Sequence, residues 1–175
     1  MKPFGFRIAT YAQREYAIRN PNGFKGYSEV CWGLTACEGP GPKELTIDGV
    51  KRVFFDYVAR GVPDGPDDGT LAPWAVVASL PFAPEIVLPT LEHFNERELG
   101  VDHPYGLEAT FNPTFPNVRG RQQGWLSPWH YGINQGPIVL SIENQRSEVL
   151  WQLMRECKYL IAGLRRARFT GGWLE

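Results

Sequence analysis

Along this 175-residue chain, stretches with a helical period of apolar positions alternate with stretches that have no period at all. Phe4, Ile8, Tyr11 and Ile18 recur at the spacing of one helix face, and "NPNG" at Asn20 to Gly23 stops the pattern. This predicts a first helix over about residues 4 to 19. From Phe24 to Leu71 the period disappears under turn-rich runs such as "GYSEVCWGLTACEGPGP" and "RGVPDGPDDGT". One alternation inside that region, "VKRVFFDYV", reads either as a short strand or as a helical turn. A loop of this length is uncommon in a compact domain unless it carries function.

"LAPWAVVASLPFAPEIVLPTLEHFNEREL" predicts two helices. The second has Val87, Leu91 and Phe94 on one face, Pro84 suited to its first turn, and a kink expected at Pro89. "YGLEATFNPTFPNVRGRQQGW" reads as an irregular aromatic loop with one strand. Beyond it, Pro137 suits a first helical position, and Val149, Leu150, Leu153, Met154, Cys157, Leu160, Ile161 and Leu164 form an amphipathic stripe. No internal repeat is visible. The pattern is that of a mainly α chain with long loops and a few short strands.

Composition narrows the function classes. A chain with 43% hydrophobic and 21% charged residues is ordinary for one globular domain, and a formal net charge of −1 argues against nucleic acid or an anionic membrane as partner. Arg165, Arg166 and Arg168 form a small basic cluster that suits a helix C-terminus. No apolar run reaches the roughly 18 residues of a membrane span, and the first residues show no export signal. Six Trp, seven Tyr and ten Phe beside 19 Gly and 15 Pro describe aromatic weight on shaped loops, which suits a ligand pocket.

Several chemistries can be tested and set aside. Cys31, Cys37 and Cys157 are too few and wrongly spaced for zinc or a disulfide framework. "PDGPDDGT" has Asp64, Asp68 and Gly69 at three places of an EF-hand loop, but Pro66 and Ala75 occupy two places that need ligands. "GPGPKE" lacks the Gly-Lys-Ser/Thr ending of a phosphate loop. His93, His103 and His130 are scattered and form no triad pattern. No metal or cofactor is expected.

What remains is a set of carboxylates on loops beside aromatics: Glu38 after Trp32, Asp67 and Asp68 before Trp74, Glu108 after Tyr105, and Glu143 after Trp125 and Trp129. Carboxylates supply acid and base for glycoside hydrolysis, flat aromatic faces cover sugar rings, and amides bond hydroxyls. Each carboxylate alone also suits a cap or a turn. Together they point to carbohydrate.

The ordered blocks "GFKGYSE", "WGLTACEGPGP", "DDGTLAPWAVVASLPFAPEIVLPTL", "YGLEATFNPTF", "GWLSPWHYGINQGPIVLSIENQRSEVLW" and "GLRRARFTGGWL" cover essentially the whole chain. They resemble the C-terminal half of the glycoamylase-like bacterial proteins, a group that includes endo-β-1,2-glucanases of glycoside hydrolase family 144. The resemblance implies roughly half of an (α/α)6 toroid, helix hairpins around a sugar cleft with loops at its rim, and an exported, periplasmic or secreted protein. Arithmetic agrees, since a hairpin of two helices takes about 50 to 60 residues with its loops and six are needed. Residues 1–175 are then one glycoamylase-like domain in part, with the N-terminal half outside the chain. Open flanks on the first helix would make it poorly soluble alone or associate it as a twofold dimer.

The resemblance also implies a general base, an Asp in the family, at the position of Asn134 in "GINQGP", and a general acid N-terminal to this chain. The expected function is the C-terminal part of an inverting hydrolase of a β-glucan. Asp67, Asp68, Glu108 and Glu143 are the acidic candidates, with Asn134 in the base position. Trp32, Trp74, Trp125, Trp129, His130, Tyr131, Gln135 and Arg146 are the candidate sugar contacts. Glu143 and Arg146 lie within one helical turn, and either hold the loop or a ligand or simply pair with each other. An amide at position 134 also fits a non-catalytic carbohydrate-binding module. A protein-interaction scaffold, the third reading, would bind no glycan.

Overall fold

Helix α1 (Phe4–Arg19) ends where the sequence stops it. Asn20 turns the chain at φ 41°, its N–H donates to Tyr16 O at 2.8 Å, and its side chain both donates to and accepts from the backbone of Phe24 at 2.8 Å. The computed structural model describes residues 4–100, 104–116 and 124–174. Residues 117–123 of the expected aromatic loop lie outside them, as does His103.

The long region after α1 is organised by short antiparallel pairs. Strands β1 (Ala36–Cys37) and β4 (Val58–Ala59) pair, and between them β2 (Lys43–Ile47) and β3 (Val50–Phe54) form a hairpin. "VKRVF" is therefore a strand. Its partner "KELTI" is joined to it by Asp48 and Gly49, both at positive φ (51° and 79°), the backbone that a two-residue hairpin turn requires. Strands β5 (Phe111–Asn112) and β6 (Trp125–Leu126) make a third pair.

Helices α2 (Pro73–Ala78) and α3 (Pro84–Glu96) both begin on proline, whose missing N–H has no intrahelical partner to lose there. Pro89, where a kink is expected, does not end α3, which continues through it as one helix. Val87 and Phe94 are buried and Leu91 packs against them. Phe94 meets Phe111 edge to face, with ring centroids 5.6 Å apart at 80°. Trp32, 1% exposed, donates its indole N–H to Thr90 Oγ1 at 2.9 Å. Burying each such side chain stabilises the fold by about 1.5–3 kcal/mol. Gly33, at φ 125°, lets this loop touch α2, because a Cβ there would come within 2.9 Å of Val76.

Helix α4 (Gly132–Ser147) starts five residues earlier than Pro137 suggested. Tyr131 is extended, Asn134 N–H closes the first turn on Tyr131 O at 3.0 Å, and Gly136 has no Cβ to clash with the proline ring. The apolar stripe beyond it belongs to two helices, α5 (Val149–Glu156) and α6 (Lys158–Arg166). Glu148 in left-handed backbone (φ 56°) separates α4 from the stripe, and Cys157 in extended backbone (ψ 100°) breaks the stripe itself. No residue of α5 or α6 is buried. On α1, Phe6, Ile8 and Ile18 are also exposed. The chain is mainly helical, and no helix among the described residues is long and apolar enough to cross a membrane.

Candidate functional site

The loop from Gly124 to Tyr131 is set in place by backbone contacts. Gly124, at φ 74°, lies so close to Asn112 O that any Cβ would collide with it, and this approach registers Trp125 opposite Asn112. Ser127 N–H then donates to Thr110 O at 2.9 Å, and Ser127 Oγ accepts Trp129 N–H at 3.2 Å. The next residues are pushed outward. Trp129 is 63% exposed, Tyr131 is exposed at the start of α4, and the His130 ring lies 5.9 Å from that of Tyr105. Tyr105, Trp129, His130 and Tyr131 thus form one aromatic rim at the N-terminal end of α4.

Glu38, the residue after β1, is tied to the same loop through Thr110, which bonds it on one side and Ser127 on the other. Thr110 Oγ lies 3.0 Å from Glu38 Oε1 and 3.1 Å from its carbonyl. Burial first, then the charges of Glu38 and Asp56, hold the Tyr131 phenol above its ordinary pKa. Glu108, two residues before Thr110, is buried at the same edge. Asn134 is also buried, in the first turn of α4, with Gln135 half-buried after it. Trp125 is half-buried in β6.

Other expected site residues are placed elsewhere or engaged otherwise. Trp32 sits in the core, so its ring has no face to offer a sugar. Asp68 is fully buried, accepting Arg60 Nε and Nη2 at 2.8 Å each, with Phe55 N–H at 2.9 Å and Thr70 N–H at 3.1 Å. Burial pulls its pKa upward, but those donors, Arg60 foremost, outweigh burial and hold it below the ordinary value. It is a structural carboxylate.

Asp67 accepts the hydroxyls of Tyr27 at 2.7 Å and Tyr16 at 2.9 Å, and Gly69 N–H at 3.0 Å. Burial, reinforced by Asp67, pushes the Tyr16 phenol up to about 12. Glu143 pairs with Arg146 at 3.1 Å on the exposed side of α4 and accepts Ser147 Oγ at 2.8 Å. Of the two readings of that pair, the geometry shows the internal one. Trp74 is half-buried in α2, with its indole N–H enclosed and unpartnered.

Sequence reasoning noted Glu38 only as one of several loop acids, and did not single out Thr110, Asp56 or Arg60. Their relation to the rim is tertiary: Thr110 and Glu38 are 72 residues apart, and no local pattern announces such a bond. Among the described residues, no group of three or more His, Cys, Asp or Glu could hold a metal ion. The arrangement is suited to a neutral polyhydroxyl ligand, with ring faces above and hydroxyl and carboxylate groups below.

Comparison with known proteins points the same way. The glycoamylase family, described as "Putative glucoamylase", matches residues 5–158. An exo β-1,2-glucooligosaccharide sophorohydrolase (non-reducing end) of Parabacteroides distasonis is 32% identical over 148 residues, 84% of this chain and 17% of the relative. The structure of an endo-β-1,2-glucanase from Chitinophaga pinensis, solved with sophorotriose and glucose, superposes with a TM-score of 0.75 at 29% identity, over 94% of this chain and 34% of its own. A glucoamylase-like structure from Bacteroides uniformis, described as putative, superposes at 0.73 with 35% identity, over 95% and 35%. The chain therefore spans about a third of these solved relatives and a smaller share of the curated one.

Proposed function

The chain belongs to the glycoamylase family, and from that premise we propose that it is the sugar-contacting part of a glycoside hydrolase acting on β-1,2-linked glucan. The observation that carries this is the aromatic rim of Tyr105, Trp129, His130 and Tyr131, standing beside Glu38. A glucosyl ring laid on Trp129 buries its apolar face, while its hydroxyls meet the Tyr131 phenol and the Gln135 amide at the start of α4.

Hydrolysis with inversion needs two carboxyl groups, one to protonate the leaving oxygen and one to activate water. Within this chain Asp67, Asp68 and Glu143 are engaged with other partners, and Asn134 cannot accept the water proton as a carboxylate does. In our reading the acid and base come from sequence beyond this chain, as parts of an (α/α)6 toroid to which residues 1–175 contribute the C-terminal hairpins. This chain supplies binding and orientation, which alone can lower a barrier substantially by holding substrate in place.

Asn134 also favours a second reading, a module that binds glycan without cleaving it. Calorimetric titration of the chain with sophorotriose tests the proposal, with Trp129→Ala as the control. Saturable binding that the variant weakens supports a sugar site; absence of binding to any β-1,2-glucooligosaccharide removes it. Turnover by the full-length protein separates hydrolase from binding module.

A further inference from the structure

Two features remain unexplained by that reading: a fully buried ion pair on a loop, and a carboxylate held half-satisfied beside the aromatic rim. They belong together. Arg60, the residue after β4, is fixed by Asp68 through two bonds of 2.8 Å, and both side chains are fully buried. Its remaining N–H groups reach three carbonyls. Nη1 donates to Cys37 O, immediately before Glu38, and Nη2 lies 3.2 Å from Phe55 O and 3.2 Å from Asp56 O. Gly39 makes this possible, because a side chain there would collide with the guanidinium and with Phe55 O. One buried cation therefore clamps the backbone just before Glu38 to the backbone at Asp56.

The carboxylate of Glu38 is fixed a second time by Thr110, whose hydroxyl bonds Oε1 while its carbonyl anchors Ser127 and through it Trp129. Glu38 Oε2 accepts no hydrogen bond among the described residues, and the side chain is half-buried rather than solvated freely. Oε2 is not among the enclosed polar atoms, so a carboxylate fixed through one oxygen presents the other to solvent, where it can accept a charge-assisted hydrogen bond from a ligand donor. A buried ion pair contributes little net stability compared with apolar residues of the same size, which leaves positioning as its use.

We infer that Glu38 is a sugar-binding residue of this site, accepting a glucosyl hydroxyl through Oε2, and that the Asp68–Arg60 pair is the positioning device that holds it there. This rests on the carbohydrate reading above. A sugar hydroxyl both donates and accepts: it donates to Glu38 and accepts from a phenol such as Tyr131, whose pKa is raised by burial first and then by the charges of Glu38 and Asp56.

The test is sophorotriose titration of the wild type, Glu38→Gln, Arg60→Lys and Thr110→Val, together with absorbance titration of the Tyr131 phenol, assigned by difference from Tyr131→Phe. Glu38→Gln should weaken binding about tenfold, the loss expected for one charge-assisted hydrogen bond, and should move the Tyr131 titration to lower pH. Arg60→Lys keeps the charge opposite Asp68 but cannot reach all three carbonyls, so it should weaken binding with Glu38 still present. Thr110→Val, nearly isosteric, should do the same to a smaller degree and decides the positioning claim if Arg60→Lys does not fold. Wild-type binding that Glu38→Gln leaves unchanged overturns this inference alone. No binding by the wild type overturns the carbohydrate reading and this inference with it. Weakened binding by Glu38→Gln beside unchanged binding in the folded positioning variants overturns the role of the ion pair.

Discussion

The described residues between Thr10 and Ser127 and the helices α4 to α6 both hold many large apolar side chains, on irregular loops as well as helices in the first and on helices in the second, and bury them very differently. The first region encloses Trp32, Leu71, Val76, Val87, Phe94 and Phe111 almost completely. In the second, the buried residues are two asparagines, Asn134 and Asn144, while Ile133, Val139, Leu153 and Met154 face outward. Helix α4 is apolar on more than one side, the character of a helix enclosed by neighbours, yet α2 is the helix of the body against which it packs. An amphipathic pattern predicts that a helix forms; whether its face is covered depends on what lies against it. The stability of this molecule therefore resides in the first region, and the candidate site lies at the seam where the second begins.

The largest effect expected from breaking that contrast is at Asp68. Asp68→Ala leaves Arg60 as an uncompensated buried charge and should cost about 3–5 kcal/mol in denaturant unfolding. The pH dependence has a definite sign. Because the folded pKa of Asp68 is lowered, its stabilisation is fully present above the unfolded value near ~3.9 and is lost as pH falls through the folded one. Wild-type stability should fall in that acid window, and Asp68→Asn should flatten the fall. A variant as stable as the wild type would mean that the first region does not depend on its buried pair.

Next in size is Trp32, the tryptophan that the sequence placed with the sugar contacts. Trp32→Phe removes the bond to Thr90 and leaves space in the core, for an expected loss of about 1–3 kcal/mol by urea denaturation and no selective effect on glycan affinity. Trp129→Ala sharpens the comparison from the other side: stability within about 0.5 kcal/mol of wild type, with sophorotriose affinity lower by about tenfold. If Trp129→Ala unfolds as readily as Trp32→Phe, the rim is core and the site is elsewhere.

These two tryptophans show how much could be read from the chain. The boundaries of α1, the pair α2 and α3 and the proline starts follow from local pattern and capping chemistry, which need only neighbouring residues. The β2–β3 hairpin has its turn signal in Asp48-Gly49, but "KELTI" alternates too weakly to announce the first strand. The break at Cys157 falls on a member of the apolar stripe, so nothing in the period marks it. The exposure of Trp129 and Tyr131 is legible because aromatics crowd a turn that must lie at the surface. Trp32 and Asp68 occur in loops just as aromatic and acidic, and their burial arises from Thr90 and Arg60, contacts that local sequence does not display. Glu38 is hidden for the converse reason, since the role inferred for it depends on Thr110 meeting its carboxylate and Arg60 meeting the Cys37 carbonyl before it.

The smallest expected effect is at Leu153, and it tests the contrast most directly. Leu153 lies on the apolar face of α5 and is 60% exposed, with Met154 beside it at 53%. Truncating a core leucine costs about 2–5 kcal/mol because transfer energy is lost and a cavity remains. A side chain already in water leaves no cavity and loses little transfer energy, so Leu153→Ala should change stability by no more than about 0.5 kcal/mol. Native-state hydrogen exchange should agree, with amides of α5 and α6 opening at lower free energy than those of α3, where Val87 and Phe94 are enclosed. A loss at Leu153 of the size expected for a core leucine, together with slow exchange in α5, would show that this face is covered in solution, by a second copy or by another chain. The difference between the two regions would then describe the isolated chain and not the working assembly.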